Sequence, residues 1–222
     1  MKYKAVIFDL DGTLLDTLTD LTDSVNFAMR SMDYPERGID EVRRFLGNGM
    51  EKLIERAIPN GSSHDRKMLT LKIFKEHYAG HCENHTAPYD GMVELLDRLL
   101  SYGIRIAVVS NKVDFAVRAL CEKYFGDRIE FALGEREGIR RKPFSDSVLE
   151  VAEKMGISLA DAVYVGDSEV DIETAKNAHM DIVSVTWGFR DKEELSCAGA
   201  TVFADSAEDL EALILGGETA EK

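Results

Sequence analysis

Two parts of the chain, residues 1–15 and 88–222, alternate short apolar runs with longer amphipathic stretches. The runs are rich in β-branched residues and predict buried strands at 4–8, 104–110, 129–133, 162–167, 181–187 and 201–203. The stretches between them have helical periodicity, for example GMVELLDRLLSYG and FSDSVLEVAEKMG. This alternation predicts an α/β fold with a doubly wound, Rossmann-like parallel sheet.

Residues 16–87 break this rhythm because they show helical periodicity and no strand pattern. Their candidate helices are DLTDSVNFAMRSM, EVRRFLG, GMEKLIERAI and RKMLTLKIFKEHYAGH. A turn signal, Pro88-Tyr89-Asp90-Gly91, follows them. We therefore predict an all-helical domain over 16–87, inserted after the first strand of a core made of residues 1–15 and 88–222.

Composition narrows the function classes. With 222 residues, 45% of them apolar, the chain is long enough for one large domain or for a domain with a smaller insertion. The formal charge of −14 argues against a nucleic-acid partner. No apolar run reaches a membrane span, the start does not resemble a signal peptide, and three scattered cysteines suit a reducing compartment. We expect a cytoplasmic protein without a membrane partner.

Polar residues follow the predicted strands where each of them ends. Asp9 and Asp11 end the first strand, Ser110 and Asn111 end the second, and Asp167 and Asp171 follow the strand at 162–167. The carboxyl ends of parallel strands meet at one edge of a sheet, where ligands gather. Carboxylates that converge there repel each other unless a hard cation is bound, and oxygen ligands of this kind suit Mg²⁺.

At this point the sequence resembles a known family. DLDGTLLDT, VVSN, RKP and GDSEVDIETAKNA are similar to the four ordered motifs of the haloacid dehalogenase superfamily of phosphotransferases. The helical insertion after the first motif resembles the first type of cap domain in that superfamily. The resemblance covers essentially the whole chain. One departure is RKPFSD, which lacks the second proline that the family often has two residues after Pro143.

The resemblance implies a role for each matching residue. Asp9 would attack phosphorus and become an aspartyl phosphate, and Asp11 would act as general acid and then as general base. The implied Mg²⁺ ligands are Asp9, Asp11 through its carbonyl, Asp167 and Asp171, the last one bound indirectly. The residues implied to bind the transferring phosphoryl group are Ser110, Lys142, Asn111 and Gly12.

Taken alone, these residues have simpler interpretations. An Asp-x-Asp-Gly sequence after a strand can be an ordinary turn, and Ser110-Asn111 can begin a helix. Lys142 can be a solvated member of the basic run that starts at Arg140. The order and spacing of all four motifs favour the catalytic interpretation.

A second cluster contains residue types that bind zinc. His77, His81 and His85 follow one another at the helical i, i+4 spacing, with Cys82 beside them. An exposed polar turn that leads back to the core explains the same residues.

Substrate choice would come from the cap domain. Its candidate substrate-binding residues are Arg43, Arg44, Gly47, Asn48 and Gly49. FLGNGMEKLIERA, PYDGM and TWGFR look most like the phosphoglycolate phosphatase branch, which implies 2-phosphoglycolate as a small phosphorylated substrate. Alternatives are a pyrophosphatase, a sugar-phosphate or nucleotide phosphatase, a β-phosphoglucomutase-like mutase, and a non-catalytic protein that binds a phosphorylated ligand. The sequence leaves a monomer and a homodimer equally open.

Overall fold

A computed structural model of the chain describes residues 2–216. Its strands are β1 (Ala5–Phe8), β2 (Leu15–Asp16), β3 (Ala87–Pro88), β4 (Arg105–Val113), β5 (Phe131–Glu135), β6 (Ala162–Gly166), β7 (Asp181–Val185) and β8 (Phe203–Ala204). Its α-helices are α1 (Leu18–Ser31), α2 (Ile39–Phe45), α3 (Gly49–Ala57), α4 (His64–His81), α5 (Met92–Ser101), α6 (Asp114–Phe125), α7 (Asp146–Met155), α8 (Glu169–Asn177), α9 (Lys192–Cys197) and α10 (Ala207–Leu215).

The chain divides into two compact units. The core unit comprises Met1–Leu14 and Pro88–Lys222, and the helical unit comprises Leu15–Ala87. The predicted core included residue 15, whereas Leu15 belongs to the helical unit and begins β2, whose partner strand is β3. The outermost residues of the predicted core, 1 and 217–222, lie outside the described part of the chain.

A six-stranded parallel sheet forms the centre of the core unit, as the sequence predicted. The strand order is β5-β4-β1-β6-β7-β8, so β1 lies between β4 and β6. Phe8 at the end of β1 is in register with Val108 of β4 and Val165 of β6. The residues that follow these three positions therefore emerge at the same edge of the sheet.

The strands are buried on both faces, which explains their nearly continuous apolar sequences. On one face, Ile7 and Val109 pack in one cluster with Val148 and Val151 of α7 and with Ala175 of α8. Residues of β1 alternate between the two faces, so Val6 and Phe8 point to the opposite one. The sheet with its flanking helices confirms the α/β prediction.

The helical unit consists of α1 to α4. α1 contacts α4 and α2, and α3 contacts both α2 and α4. Its buried side chains include Val25 and Met29 of α1, Ile54 of α3 and Phe74 of α4. No helix within residues 2–216 combines the length and the apolar character that crossing a membrane would require.

Several predicted boundaries shift. β4 continues to Val113 instead of ending at 110, with a register shift against β5 between Val109 and Val113. The strands predicted at 129–133 and 201–203 lie at Phe131–Glu135 and Phe203–Ala204. No strand was predicted at the ends of the insertion, because β2 and β3 have two residues each and are too short for an alternating pattern.

Candidate active site

Three buried carboxylates meet at the carboxyl edge of the sheet. Asp9 follows β1, Asp167 follows β6, and Asp171 lies in the first turn of α8. One carboxylate oxygen from each of them lies within 4.8 Å of the others. This distance allows all three carboxylates to share one cation, which would offset the repulsion between their like charges.

Lys142 contributes a buried positive charge to this cluster. Its Nζ atom lies 2.7 Å from Asp9 Oδ1 and 2.7 Å from Asp171 Oδ1, and it donates to the Tyr164 hydroxyl at 3.2 Å. Burial lowers the pKa of Lys142, but the neighbouring carboxylates outweigh burial and raise that pKa well above its usual value. The ammonium group is therefore charged, and it joins two of the three carboxylates.

Asp171 is held by the residues around it. The Ser168 hydroxyl donates to Asp171 Oδ2 at 2.6 Å, and the Ser168 backbone N–H donates to the same oxygen at 3.2 Å. The Tyr164 hydroxyl lies 3.2 Å from Asp171 Oδ1. These contacts hold the Asp171 carboxylate in place, and the carboxylate in turn orients the Lys142 ammonium group.

The cluster is short of positive charge even with Lys142 present. The pKa of Asp9 is raised to about 7, because burial, the largest cause, and the charge of Asp171 together raise this pKa more than Lys142 lowers it. Burial and the charges of Asp171 and Asp9 also raise the pKa of Asp167 well above its usual value, although Asp167 Oδ2 accepts a 2.6 Å hydrogen bond from the Phe189 backbone N–H. An all-oxygen donor set of this kind fits Mg²⁺.

Three glycines make room for these carboxylates. A Cβ atom on Gly12, where φ is +86°, would overlap Asp167 Oδ2 and lie 2.9 Å from the Phe189 ring. A Cβ atom on Gly188 would also overlap Asp167, and one on Gly166 would overlap Asp171. The family resemblance implies that Gly12 binds phosphate, and in addition its missing side chain leaves the space that Asp167 occupies.

Asp11, Ser110 and Asn111 lie beside the cluster. The Asp11 carboxylate oxygen Oδ1 lies 2.9 Å from Nζ of Lys112. The Ser110 hydroxyl accepts a hydrogen bond from the Lys112 backbone N–H at 3.2 Å, and Asn111 Nδ2 donates to the Lys142 carbonyl at 3.0 Å. All of these residues belong to the core unit.

The five candidate residues of the cap belong to the helical unit, at the junction of α2 and α3. Arg43 and Arg44 are exposed in the last turn of α2. The loop that carries Gly47, Asn48 and Gly49 is held by Arg56 of α3, which donates to Asn48 Oδ1 at 2.6 Å and to the Phe45 carbonyl at 2.8 Å. The structure thus brings the loop residues together with the end of α2.

The histidines do not form the row that their spacing predicted. α4 ends at His81, so His85 lies beyond the helix, where its backbone N–H donates to Asp20. His77 and His81 stack with ring centroids 4.0 Å apart, and His77 Nδ1 lies 3.0 Å from the Ser24 hydroxyl. The predicted helical spacing is therefore wrong for His85.

Several residues around the cluster were not predicted from the sequence: Lys112, Tyr164, Gly166, Ser168 and Gly188. Gly166 and Ser168 lie within the quoted motifs, Lys112 directly follows VVSN, and Tyr164 lies two residues before GDSEVDIETAKNA, so their position in or near the motifs was the available signal. Gly188 lies in TWGFR, 21 positions after Asp167, and only the fold brings these two residues together.

Comparison with known proteins supports the resemblance noted in the sequence. The sequence model of the family described as haloacid dehalogenase-like hydrolase matches residues 6–185. Phosphoglycolate phosphatase 1 of Pseudomonas aeruginosa is 33% identical over 215 residues, which cover 93% of this chain and 78% of that protein. Phosphoglycolate phosphatase of Mesorhizobium japonicum is 34% identical over 201 residues, 86% of each chain.

A solved structure agrees with this relationship. The crystal structure of a candidate phosphoglycolate phosphatase from Lactobacillus delbrueckii subsp. bulgaricus superposes with a TM-score of 0.94 at 39% sequence identity. The match covers 97% of this chain and 100% of that one. The chain therefore belongs to the haloacid dehalogenase-like hydrolases, and its enzyme class is that of the phosphoric monoester hydrolases.

Proposed function

We propose that the protein is a Mg²⁺-dependent phosphatase that hydrolyses a small phosphomonoester, 2-phosphoglycolate, through an aspartyl phosphate on Asp9. The observation that carries the proposal is the cluster of Asp9, Asp167 and Asp171, with Lys142 paired to Asp9 and Asp171. A protein that only bound a phosphorylated ligand would be expected to surround it with positively charged side chains. Here a carboxylate lies beside the buried lysine, and a carboxylate can act as a nucleophile.

Asp9 and Asp11 would divide the chemistry between them. In the first step a bond forms between an Asp9 carboxylate oxygen and phosphorus while the bond from phosphorus to the leaving oxygen breaks, and Asp11 gives its proton to that oxygen. In the second step Asp11 takes a proton from water, and the water oxygen attacks phosphorus and releases Asp9. The two-residue separation of Asp9 and Asp11 puts both carboxyl groups after the same strand.

The residues that would hold Mg²⁺ are Asp9, Asp167 and the Asp11 carbonyl, with Asp171 acting indirectly through its contacts. The all-oxygen donor set and the raised pKa values of Asp9 and Asp167 support this assignment. Bound Mg²⁺ would neutralise charge on the phosphoryl group.

Lys142, Ser110 and Asn111 would bind the oxygens of the transferring phosphoryl group. Lys142 is charged and buried, so it can stabilise negative charge in a site of low dielectric constant. The contact between Asn111 Nδ2 and the Lys142 carbonyl fixes these two residues relative to one another. Gly12 would let a backbone N–H group approach the same oxygens.

The names of two relatives and the chemistry of two arginines in the helical unit support 2-phosphoglycolate as the substrate. The relatives from Pseudomonas aeruginosa and Mesorhizobium japonicum are named phosphoglycolate phosphatases and match most of the chain. The helical unit would act as a cap, and a guanidinium group of Arg43 or Arg44 would bind the carboxylate of 2-phosphoglycolate. Gly47, Asn48 and Gly49 would shape the same binding region, with Arg56 holding Asn48 in place.

A substrate panel tests the proposal. Phosphate release is measured from 2-phosphoglycolate, pyrophosphate, sugar phosphates, a nucleotide and p-nitrophenyl phosphate, with Mg²⁺ or with EDTA. We expect the highest kcat/KM for 2-phosphoglycolate, and loss of release both in EDTA and in the Asp9→Asn variant. The single variants Arg43→Gln and Arg44→Gln test the carboxylate contact. We expect one of these two substitutions to raise KM for 2-phosphoglycolate more than for p-nitrophenyl phosphate, which has no carboxylate.

Other outcomes of the substrate panel would indicate a different substrate, a mutase or a binding protein. A higher kcat/KM for another compound would replace 2-phosphoglycolate as the substrate and keep the phosphatase mechanism. Stoichiometric transfer to a second sugar phosphate, without free phosphate, would indicate a mutase. Binding of these compounds by a folded protein without any turnover would indicate a binding protein.

A further inference from the structure

Lys112 is a buried lysine in the irregular end of β4, outside the motifs that suggested the mechanism. Lys112 is only 5% exposed, and its Nζ atom lies 2.9 Å from Asp11 Oδ1. Lysine is rarely buried unless its charge is paired, because the desolvation of an ammonium group is costly. The charge of Lys112 is therefore directed at the carboxyl group that the proposed mechanism uses as acid and base.

The backbone around Lys112 links the same groups. Its N–H donates to the Ser110 hydroxyl at 3.2 Å, and the neighbouring Asn111 side chain donates to the Lys142 carbonyl at 3.0 Å. The register shift between Val109 and Val113 is located at these residues. Irregular strand ends of this kind redirect side chains, and here the irregularity allows Lys112 to reach Asp11.

We propose that Lys112 is a positioning residue, whose ammonium group holds the Asp11 carboxyl group in the orientation from which it protonates the leaving oxygen. This inference rests on the proposed function. When Asp11 gives up its proton, negative charge develops on its carboxyl group, and the fixed ammonium group stabilises that charge without having to reorganise. The proton passes from Asp11 to the leaving oxygen, and Lys112 keeps its own protons.

The leaving group provides a readout that a purely structural role would not change. An alkyl phosphate releases an alkoxide, which needs a proton as it leaves, whereas p-nitrophenyl phosphate releases a stabilised anion that does not. The quantity to measure is kcat/KM at saturating Mg²⁺, because it reports the steps up to the first irreversible departure of the leaving group and not the later hydrolysis of the aspartyl phosphate.

The test compares Lys112→Met with the wild type on 2-phosphoglycolate and on p-nitrophenyl phosphate. We expect kcat/KM to fall about tenfold or more for the alkyl phosphate and by less than about threefold for p-nitrophenyl phosphate. Asp11→Asn should show the same selectivity with a larger loss. If Lys112→Met does not fold, Lys112→Gln, which keeps a polar end, is expected to give the same pattern.

A matched control is Lys154→Met, which removes a lysine 2.8 Å from Glu150 in the same unit. We expect it to leave both kcat/KM values unchanged. Equal losses for both substrates in Lys112→Met, or no loss for either, would overturn the positioning role while the wild type remains an active phosphatase. A wild type that hydrolyses neither compound with Mg²⁺ would instead overturn the proposed function, and this inference with it.

Discussion

At the scale of single residues, the buried carboxylates depend on glycines that leave space for them. Gly12 and Gly188 both border Asp167, and Gly166 borders Asp171. A carboxylate in so confined a space has few alternative orientations, so its direction is set by packing as well as by hydrogen bonds. The glycines therefore contribute to the geometry of the cluster although they carry no functional group.

This packing makes Gly188 a sensitive position. In Gly188→Ala we expect the added methyl group to displace Asp167, to lower the free energy of unfolding by about 1–3 kcal/mol, and to weaken Mg²⁺ binding. The measurements are urea unfolding followed by circular dichroism, and Mg²⁺ titration calorimetry.

The matched control for this prediction is Gly80→Ala in α4. Gly80 is exposed, and a Cβ atom there would have no neighbour within 4 Å. We expect this substitution to raise the free energy of unfolding by about 0.5 kcal/mol, since alanine is the better helix former. A Gly188→Ala protein as stable as the wild type, with unchanged Mg²⁺ affinity, would show that Asp167 tolerates the methyl group.

At the scale of elements, the return of the chain from α4 to β3 is fixed by one buried carboxylate. Asp20 of α1 is 1% exposed and accepts hydrogen bonds from the backbone N–H groups of His85 and Thr86 and from the Thr86 hydroxyl, at 2.8 to 3.1 Å. The residues after α4 are thereby bound to the first helix of the same unit.

Removal of this carboxylate should loosen the helical unit. In Asp20→Ala we expect the free energy of unfolding to fall by about 3 kcal/mol, because buried donors lose their acceptor, and amide exchange at 85–86 to become faster. Circular dichroism in urea and hydrogen–deuterium exchange measure the two effects.

Asp23→Ala on the same helix is the control for Asp20→Ala. Asp23 is exposed and lies 4.0 Å from His85 Nε2, so its loss should change the free energy of unfolding by less than about 0.5 kcal/mol. Equal effects of the two substitutions would contradict the anchoring role of Asp20.

For the molecule as a whole, much of the fold was predictable because patterns within short stretches of sequence indicate it. The alternation of apolar runs and helices predicted the parallel sheet, and the helical periodicity of residues 16–87 predicted the helical insertion. The strand order and the register shift at the end of β4 were not predictable, since they depend on which strands pair after folding.

The same distinction applies to the site. Asp9, Asp167 and Asp171 were expected at one sheet edge, because parallel strands all end there, and the structure brings them together. The pairing of Lys112 with Asp11 and the packing of Gly188 on Asp167 join residues 101 and 21 positions apart, which no local pattern encodes. The roles assigned to these residues remain predictions.

The proposed function of the whole molecule depends on Asp9, which would carry the phosphoryl group during turnover. The most direct measurement is an acid quench of the wild type during its first turnover of 2-phosphoglycolate with Mg²⁺, followed by mass spectrometry of the peptide that contains Asp9. We predict a phosphoryl group on Asp9, and no first turnover in Asp9→Asn. A phosphoryl group on another side chain, or a first turnover in Asp9→Asn at the wild-type rate, would contradict the proposed mechanism.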